Sequence, residues 1–376
     1  MSAAIFWISA AIIAYTYVGY AVLVALYARR HTQLPLQAPA TPAVTVVIAA
    51  YNEARRIGER VRNVLALDYP ADKLSVVVVS DGSEDGTERA AAVGDARVRV
   101  VSLPHNVGKA AALNAAFVAV ETEYAVFSDA RQRFAPDALR RLMAPFADPR
   151  VGAVTGELEI AERMPTGAKA ATDGLYWRME KRLREGEARV GWLHTVTGAV
   201  YALRTELFRA LPAGLLLDDM WIPLHVAFAG RRIWMARDAI AYDEPSASVG
   251  EEYRRKLRTL AGNWQLIARM PRLLDPRANP VFFPWLSHKL LRLVAPWALV
   301  AAWWSSARAE GAIYEFAFYA QTAAYAGAAF ALVAPRIAAR IPLLPTAASF
   351  VVLNFAALLA LPACLAIDAG RLWKKH

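Results

Sequence analysis

Apolar and polar positions alternate in blocks along this chain. Residues 1–28 carry no charged side chain, and Arg29, Arg30 and His31 follow at once. About 20 apolar residues span a bilayer, so this block is long enough. It lacks a basic leader and a cleavage-site pattern, which predicts an anchor over 1–30 rather than a removed signal. Basic residues just after an apolar span place that end in the cytoplasm. Residues 32–42, rich in Pro, Ala and Gln, read as a linker. Short apolar runs ending in polar turns come next. One ends at Tyr51, Asn52 and Glu53, a second at Ser80, Asp81 and Gly82, and a fourth at Ser128 and Asp129; the third covers 97–103. Helical patterns separate them, and another apolar run begins at Val151. Strand and helix alternating at this spacing predict an α/β, Rossmann-like and mostly parallel sheet over 43–268. Ligands of such sheets bind beyond the carboxyl ends of the strands, where the polar residues of this chain collect.

Composition adds a membrane to that picture. The chain has 376 residues, 57% of them hydrophobic, yet 20% are charged. A soluble domain joined to membrane helices fits both values. Three further apolar runs, 293–307, 316–335 and 341–367, predict transmembrane helices over 293–370. With the first anchor they make four spans, although 293–307 is short. The basic tail 371–375 would then lie outside, against the positive-inside rule. Net charge is +10, which suits nucleic acid or anionic lipid. The aromatic and basic stretch 168–189, with Tyr176 and Trp177, carries no nucleic-acid motif and predicts a helix on the membrane surface. Residues 269–292, rich in Pro, Arg and aromatics, predict an interfacial helix with His288 at headgroup level. The single cysteine, Cys364, excludes an internal disulfide and a cysteine-based metal site.

Four residues carry candidate chemistry. Asp129, at a strand end, can hold a divalent cation beside a phosphate, or merely cap the next helix. Lys109, after Gly108, can offset phosphate charge. Asp218 and Asp219 follow three leucines. An apolar approach and a like charge both raise a carboxyl pKa, which suits a general base; acids also commonly decorate helix N-termini.

Ala50-Tyr-Asn-Glu53, Ser80-Asp-Gly-Ser83, Gly108-Lys-Ala-Ala-Ala-Leu-Asn114 and Ser128-Asp-Ala130 occur in one order and spacing. Together they resemble the family 2 glycosyltransferases of the GT-A fold. The similarity covers about residues 43–300. It is nearest to membrane-bound members such as cellulose, hyaluronan and chitooligosaccharide synthases and ceramide glucosyltransferase. The resemblance implies that Tyr51, Glu53 and Asp81 bind the nucleoside of a nucleotide sugar, most simply a UDP-sugar. It implies Lys109 at the diphosphate, Asp129 as ligand of Mg²⁺ or Mn²⁺, Asp219 as general base beside Asp218, and Gly198 leaving room for the acceptor.

The chain departs from the family twice. Arg131 stands where a second metal-binding aspartate is usual, so Asp129 holds the metal with waters and diphosphate, or Arg131 supplies positive charge itself. In the Gln-x-x-Arg-Trp position, Arg255 replaces the glutamine, Arg258 keeps the arginine as a diphosphate clamp, and Thr259 replaces the tryptophan; Trp264 is the nearby aromatic that could face an acceptor. The implied function is inverting sugar transfer at the cytoplasmic membrane face to a polysaccharide or oligosaccharide. Rival readings are transfer of one sugar to a lipid, such as a polyprenyl carrier or glycolipid, and a non-catalytic membrane scaffold. Membrane lipid and export or accessory proteins are the implied partners, and nucleic acid is not.

Overall fold

The computed structural model describes residues 1–160, 169–244, 249–338, 340–342 and 344–366. Its centre is one sheet of β1 (Val44–Ala50), β2 (Leu74–Asp81), β3 (Val98–Leu103), β4 (Tyr124–Asp129), β5 (Arg133–Phe134), β6 (Val151–Ile160), β7 (Tyr201–Arg204) and β8 (Arg232–Asp243). The order across the sheet is β3-β2-β1-β4-β7-β6-β8-β5. β1 to β4 run parallel; β7 enters antiparallel to both β4 and β6. β1 and β2 are buried along nearly their whole length. Helices cover both faces there, so these strands need continuous apolar runs and show no alternation. β3, at the edge, leaves Arg99 and Ser102 exposed. Register aligns the strand ends: Ala50 lies opposite Ser80, and Ala49 opposite Asp129. Tyr51, Asp81 and Asp129 therefore emerge along one edge.

The helices are α1 (Ser2–His31), α2 (Ala54–Leu65), α3 (Thr87–Ala91), α4 (Lys109–Phe117), α5 (Ala138–Met143), α6 (Lys169–Arg189), α7 (Asp218–Phe228), α8 (Val249–Arg269), α9 (Leu291–Ser306), α10 (Ala312–Val333) and α11 (Leu344–Ala366). α2 shows how they seat: Ile57, Val61 and Val64 form one apolar stripe and are fully buried. Among the described residues, three helices are long and apolar enough to cross a membrane: Ser2–His31, Ala312–Val333 and Leu344–Leu365. The expected fourth span falls in α9, whose 16 residues are short of the usual length. α9 continues a helical path from Phe282–Trp285 through a π-helical turn, Leu286–Leu290, and that path carries His288, Lys289 and Arg292. The basic tail lies outside the described residues.

Two interfacial expectations change. Met270, Leu273, Val281 and Trp285 are buried in the same core as the sheet, so 269–292 extends that core. His288 packs inside the protein. It is 1% exposed, held between Glu180 and Glu187 of α6, because two buried carboxylates replace the water it would otherwise need. α6 forms as a helix, and its Leu183 packs on Tyr20 and Val24 of α1; the side chains of Tyr176 and Trp177 lie outside the described residues.

Gly82 locks β2 to the following loop. Its φ is +64°, and a Cβ there would sit 2.2 Å from the carbonyl carbon of His105 and 2.4 Å from the amide nitrogen of Asn106. Both neighbours are backbone and cannot swing away. Gly82→Ala is expected to cost about 1–3 kcal/mol from the left-handed conformation alone, with the clash added. Thermal unfolding in detergent checks this, and an unchanged midpoint would show that the loop yields.

Candidate active site

The loop after β3 is bolted to the end of β2. Asp81 accepts hydrogen bonds from the amides of Val107 (2.8 Å) and Gly108 (2.9 Å) and from Asn106 Nδ2 (3.0 Å). The β1 turn is zipped to the β2 turn in the same way. Asn52 N donates to Ser83 Oγ, Glu84 N to Asn52 Oδ1, Glu53 N to Thr87 Oγ1, and Ala54 N to Asp85. An open cleft of about 520 Å³ lies along these turns, lined by Tyr51, Ser83, Glu84, Ser102, His105 and Asn106 among others. Asp81 is 3% exposed, so it shapes the loop that borders this cleft.

The loop delivers Lys109 to the first position of α4. From there Lys109 Nζ meets Asp129 Oδ1 at 3.0 Å and Asp218 Oδ2 at 3.2 Å. Burial works against this ammonium, but Asp129 and Asp218 outweigh it and raise its pKa. Asp218 and Asp219 open α7, where an acid is favoured by the helix dipole. Asp219 is the unusual member. Burial first, then the adjacent Asp218 charge, raise its carboxyl to about 6, against the pull of Lys109, Lys289 and Arg258. Gly198 faces it: a Cβ at that glycine would lie 3.3 Å from Asp219 Cβ and 3.6 Å from its Oδ2. A bulkier residue would therefore fill the space beside the candidate base.

α8 supports these acids from behind. Gln265 accepts from Leu216 N (2.9 Å) and donates to the Gly214 carbonyl (2.8 Å), and Gly262 lets the helix close on Leu217. Arg258 lies within electrostatic reach of Asp219, Asp218 and Asp129, and Arg255 within reach of Arg258. Arg131 is committed elsewhere: its Nη2 donates to Asp243 Oδ2 at 2.7 Å, beside Gln132. No hydrogen bond or ring contact among the described residues ties Trp264 to the acids.

Sequence reasoning missed one contact and three residues. Lys109 pairs with Asp218 as well as Asp129, a contact that crosses 109 positions of chain. Asp243, which holds Arg131, lies 112 positions away in the chain, and nothing local marks it. Tyr201 is fully buried within the field of Asp218, Asp219 and Asp129, and its pKa is raised by burial and by those charges. Arg60 backs β4, donating to Ser128 Oγ (2.7 Å) with its guanidinium 4.1 Å above the Phe134 ring. An arginine within the apolar stripe of α2 was the available signal.

Known proteins are similar to this chain. The family described as "Glycosyltransferase like family 2" matches residues 42–262. An N-acetylglucosaminyltransferase of Mesorhizobium japonicum is 30% identical over 270 residues, 64% of this chain and 63% of that one. A poly-beta-1,6-N-acetyl-D-glucosamine synthase of Staphylococcus aureus is 25% identical over 232 residues, 60% of this chain and 56% of its own length. The match thus spans less than two thirds of these curated relatives. A mannosyltransferase of Pyrobaculum calidifontis, solved with GDP-Man and Mn²⁺, superposes with a TM-score of 0.73 at 27% identity, covering 95% of this chain and 99% of that one.

Lys109 is the counterion of three acids, and its loss has a defined sign. In metal-free buffer, Lys109→Met leaves carboxylates that hold protons more tightly folded than unfolded. Stability then rises as pH falls. The variant is expected to lose on the order of 3 kcal/mol at pH 8 and clearly less at pH 5, measured by thermal unfolding. A loss independent of pH would show that Lys109 does not balance these charges.

Proposed function

The chain belongs to the glycosyltransferase like family 2, on the match over residues 42–262, and we propose that it transfers a sugar from a nucleoside diphosphate sugar with inversion at the anomeric carbon. One observation carries this reading: Asp219, held up to about 6, faces the space left by Gly198 while the neighbouring acids are bridged by Lys109. A base and a cation site thus stand side by side across a single gap.

The donor nucleoside lies in the cleft beside Tyr51, with Glu53 and Asp81 fixing the turns around it. Its diphosphate lies toward Lys109 and Arg258. An acceptor enters from the Gly198 side. Asp219 takes the proton of the attacking oxygen, which is a weak nucleophile until that proton leaves. The oxygen bonds the anomeric carbon as the bond to the diphosphate breaks, and the cations stabilise the charge that develops there. Asp218 keeps Lys109 in place rather than acting as a base itself.

The residues also fit a divalent cation. Asp129 spends one oxygen on Lys109, and its side chain is 40% exposed. Among the described residues no cluster of three His, Cys, Asp or Glu exists to cage a metal. One carboxylate with diphosphate oxygens and waters is the set Mg²⁺ or Mn²⁺ accepts, and the mannosyltransferase relative was solved with Mn²⁺. When bound through Asp129, the ion neutralises charge on the leaving diphosphate. Arg131, paired with Asp243, takes no part. Arg29, Arg30 and His31 at the end of α1 favour a catalytic domain on the cytoplasmic face.

Three outcomes test the reading on the purified protein offered UDP-GlcNAc and GDP-mannose. Asp219→Asn is expected to lower turnover about 10²–10⁴-fold while donor binding by calorimetry persists. With the wild type, kcat/KM climbs with pH and levels off above about 6, because only the ionised base accepts a proton. Chelation with EDTA is expected to stop turnover, and Mg²⁺ or Mn²⁺ to restore it. Full activity in Asp219→Asn would remove that residue from the reaction.

A further inference from the structure

One charge stands on the buried side of α2. Ile57, Val61 and Val64 seat that helix on the sheet, and Arg60, among them, is 3% exposed. Its Nη2 donates to Ser128 Oγ at 2.7 Å, its Nη1 donates to Asn63 Oδ1, and its guanidinium carbon lies 4.1 Å from the centre of the Phe134 ring. Asn63 in turn bonds both main-chain groups of Phe134: Nδ2 donates to the carbonyl at 3.1 Å, and Oδ1 accepts from the amide at 2.9 Å. Arg60 Nε is buried without an acceptor among the described residues. α2 starts directly after Glu53, so this one helix joins the turn beside the open cleft to the end of β4.

Packing alone does not call for this charge. Burial works against a guanidinium, and an apolar side chain of similar volume commonly serves a buried position as well or better. No carboxylate oxygen of a described residue lies within 4.0 Å of Arg60. The acid whose charge favours it is Asp129, the residue after Ser128. Asp129 also lies 3.0 Å from Lys109 Nζ and acts on Arg258 of α8. Cations from three helices, α2, α4 and α8, thus converge electrostatically on one carboxylate. Asp218 offsets the Lys109 charge at 3.2 Å.

A divalent ion at Asp129 is attracted by that carboxylate and repelled by the cations around it. With one carboxylate the balance turns favourable only when a diphosphate adds its own negative charge and oxygen ligands. Lys109 and Arg258 stand with the acids of the site, but Arg60 is buried behind the strand end, where a diphosphate cannot reach it. We propose that Arg60 is a positioning residue that acts through Ser128 and Asp129. It holds the end of β4 and keeps that end too positive for a bare divalent cation, so the ion binds together with the nucleoside diphosphate and not ahead of it. The proposal rests on the transferase reading. Arg60 itself touches neither ion nor substrate; its charge sets how strongly the binding of one depends on the other.

The test uses the whole chain in detergent. Mn²⁺ binding is read by electron paramagnetic resonance with and without UDP (or GDP, where GDP-mannose is the donor that binds), and metal held by nucleotide alone is subtracted. In the wild type the nucleotide is expected to raise Mn²⁺ affinity at least about tenfold, and Mn²⁺ to raise nucleotide affinity by the same factor. Arg60→Met and Arg60→Gln remove the charge, and each is expected to bind Mn²⁺ alone about tenfold tighter, with the coupling reduced. Arg60→Lys keeps the charge and is expected to keep the coupling of the wild type. A residue that only holds the fold would leave Mn²⁺ binding unchanged or weaker in the neutral variants, and either result would overturn the proposal. So would failure of both neutral variants to fold, read by thermal unfolding, or absence of coupling in the wild type. Failure of the wild type to bind either UDP-GlcNAc or GDP-mannose by calorimetry would instead overturn the transferase reading.

Discussion

One ammonium group holds this site together. Lys109 Nζ touches Asp129 from the end of β4 and Asp218 from the start of α7, elements far apart in the chain. Three carboxylates cannot share so small a volume without a counterion, because like charges in a desolvated site repel strongly. The Lys109 contact therefore fixes where β4, α4 and α7 must converge. It also divides the labour of the acids. Asp129 and Asp218 each bond Lys109 Nζ, and Asp219, next to them but not bonded to it, has its carboxyl raised to about 6 by burial and the Asp218 charge.

The strand-end half of the candidate site was legible in the sequence for a simple reason. Parallel strands buried on both faces must be continuous apolar runs, and their carboxyl ends must bear the polar groups. Tyr51, Asp81, Lys109 and Asp129 are all within a few residues of such an end, so local pattern located them. Their partners were not legible, because pairing is a property of the fold. Asp81 was expected to meet the nucleoside, and the structure shows it spending its carboxylate on Val107, Gly108 and Asn106. Arg131 looked like a stand-in for a missing acid or a free cation; Asp243, 112 positions away, occupies it.

The half of the chain beside the apolar helices was less legible for the opposite reason. A run of Pro, Arg, aromatics and His before an apolar helix has the composition of a bilayer interface. Whether such residues face lipid or protein depends on compensating charge elsewhere. Glu180 and Glu187, about one hundred positions upstream, allow His288 to be buried. Likewise α9 reads as a short span, yet it continues a path already packed on the catalytic core through Trp285. Composition reports what a segment can tolerate; the partner decides where it goes.

On the proposed reading, the donor and acceptor sides are anchored to different elements. The donor turns hang from the sheet through Asp81, Gly82 and Asn52. The acceptor side hangs from helices: α8 grips the segment before Asp218 through Gln265, and α6 carries Arg184 toward Thr197 while Glu187 is bonded to Tyr20 of α1 and to His288. In-line displacement requires the attacking oxygen, the anomeric carbon and the leaving diphosphate to line up, and misplacement by about 1 Å costs on the order of 10²-fold in rate. Alignment here depends on how the apolar helices sit against the sheet, with Lys109 and its acids as the joint. Tyr20 and His288 stand outside the sheet, and their bonds to Glu187 tie α6 to α1 and to the path that leads into α9.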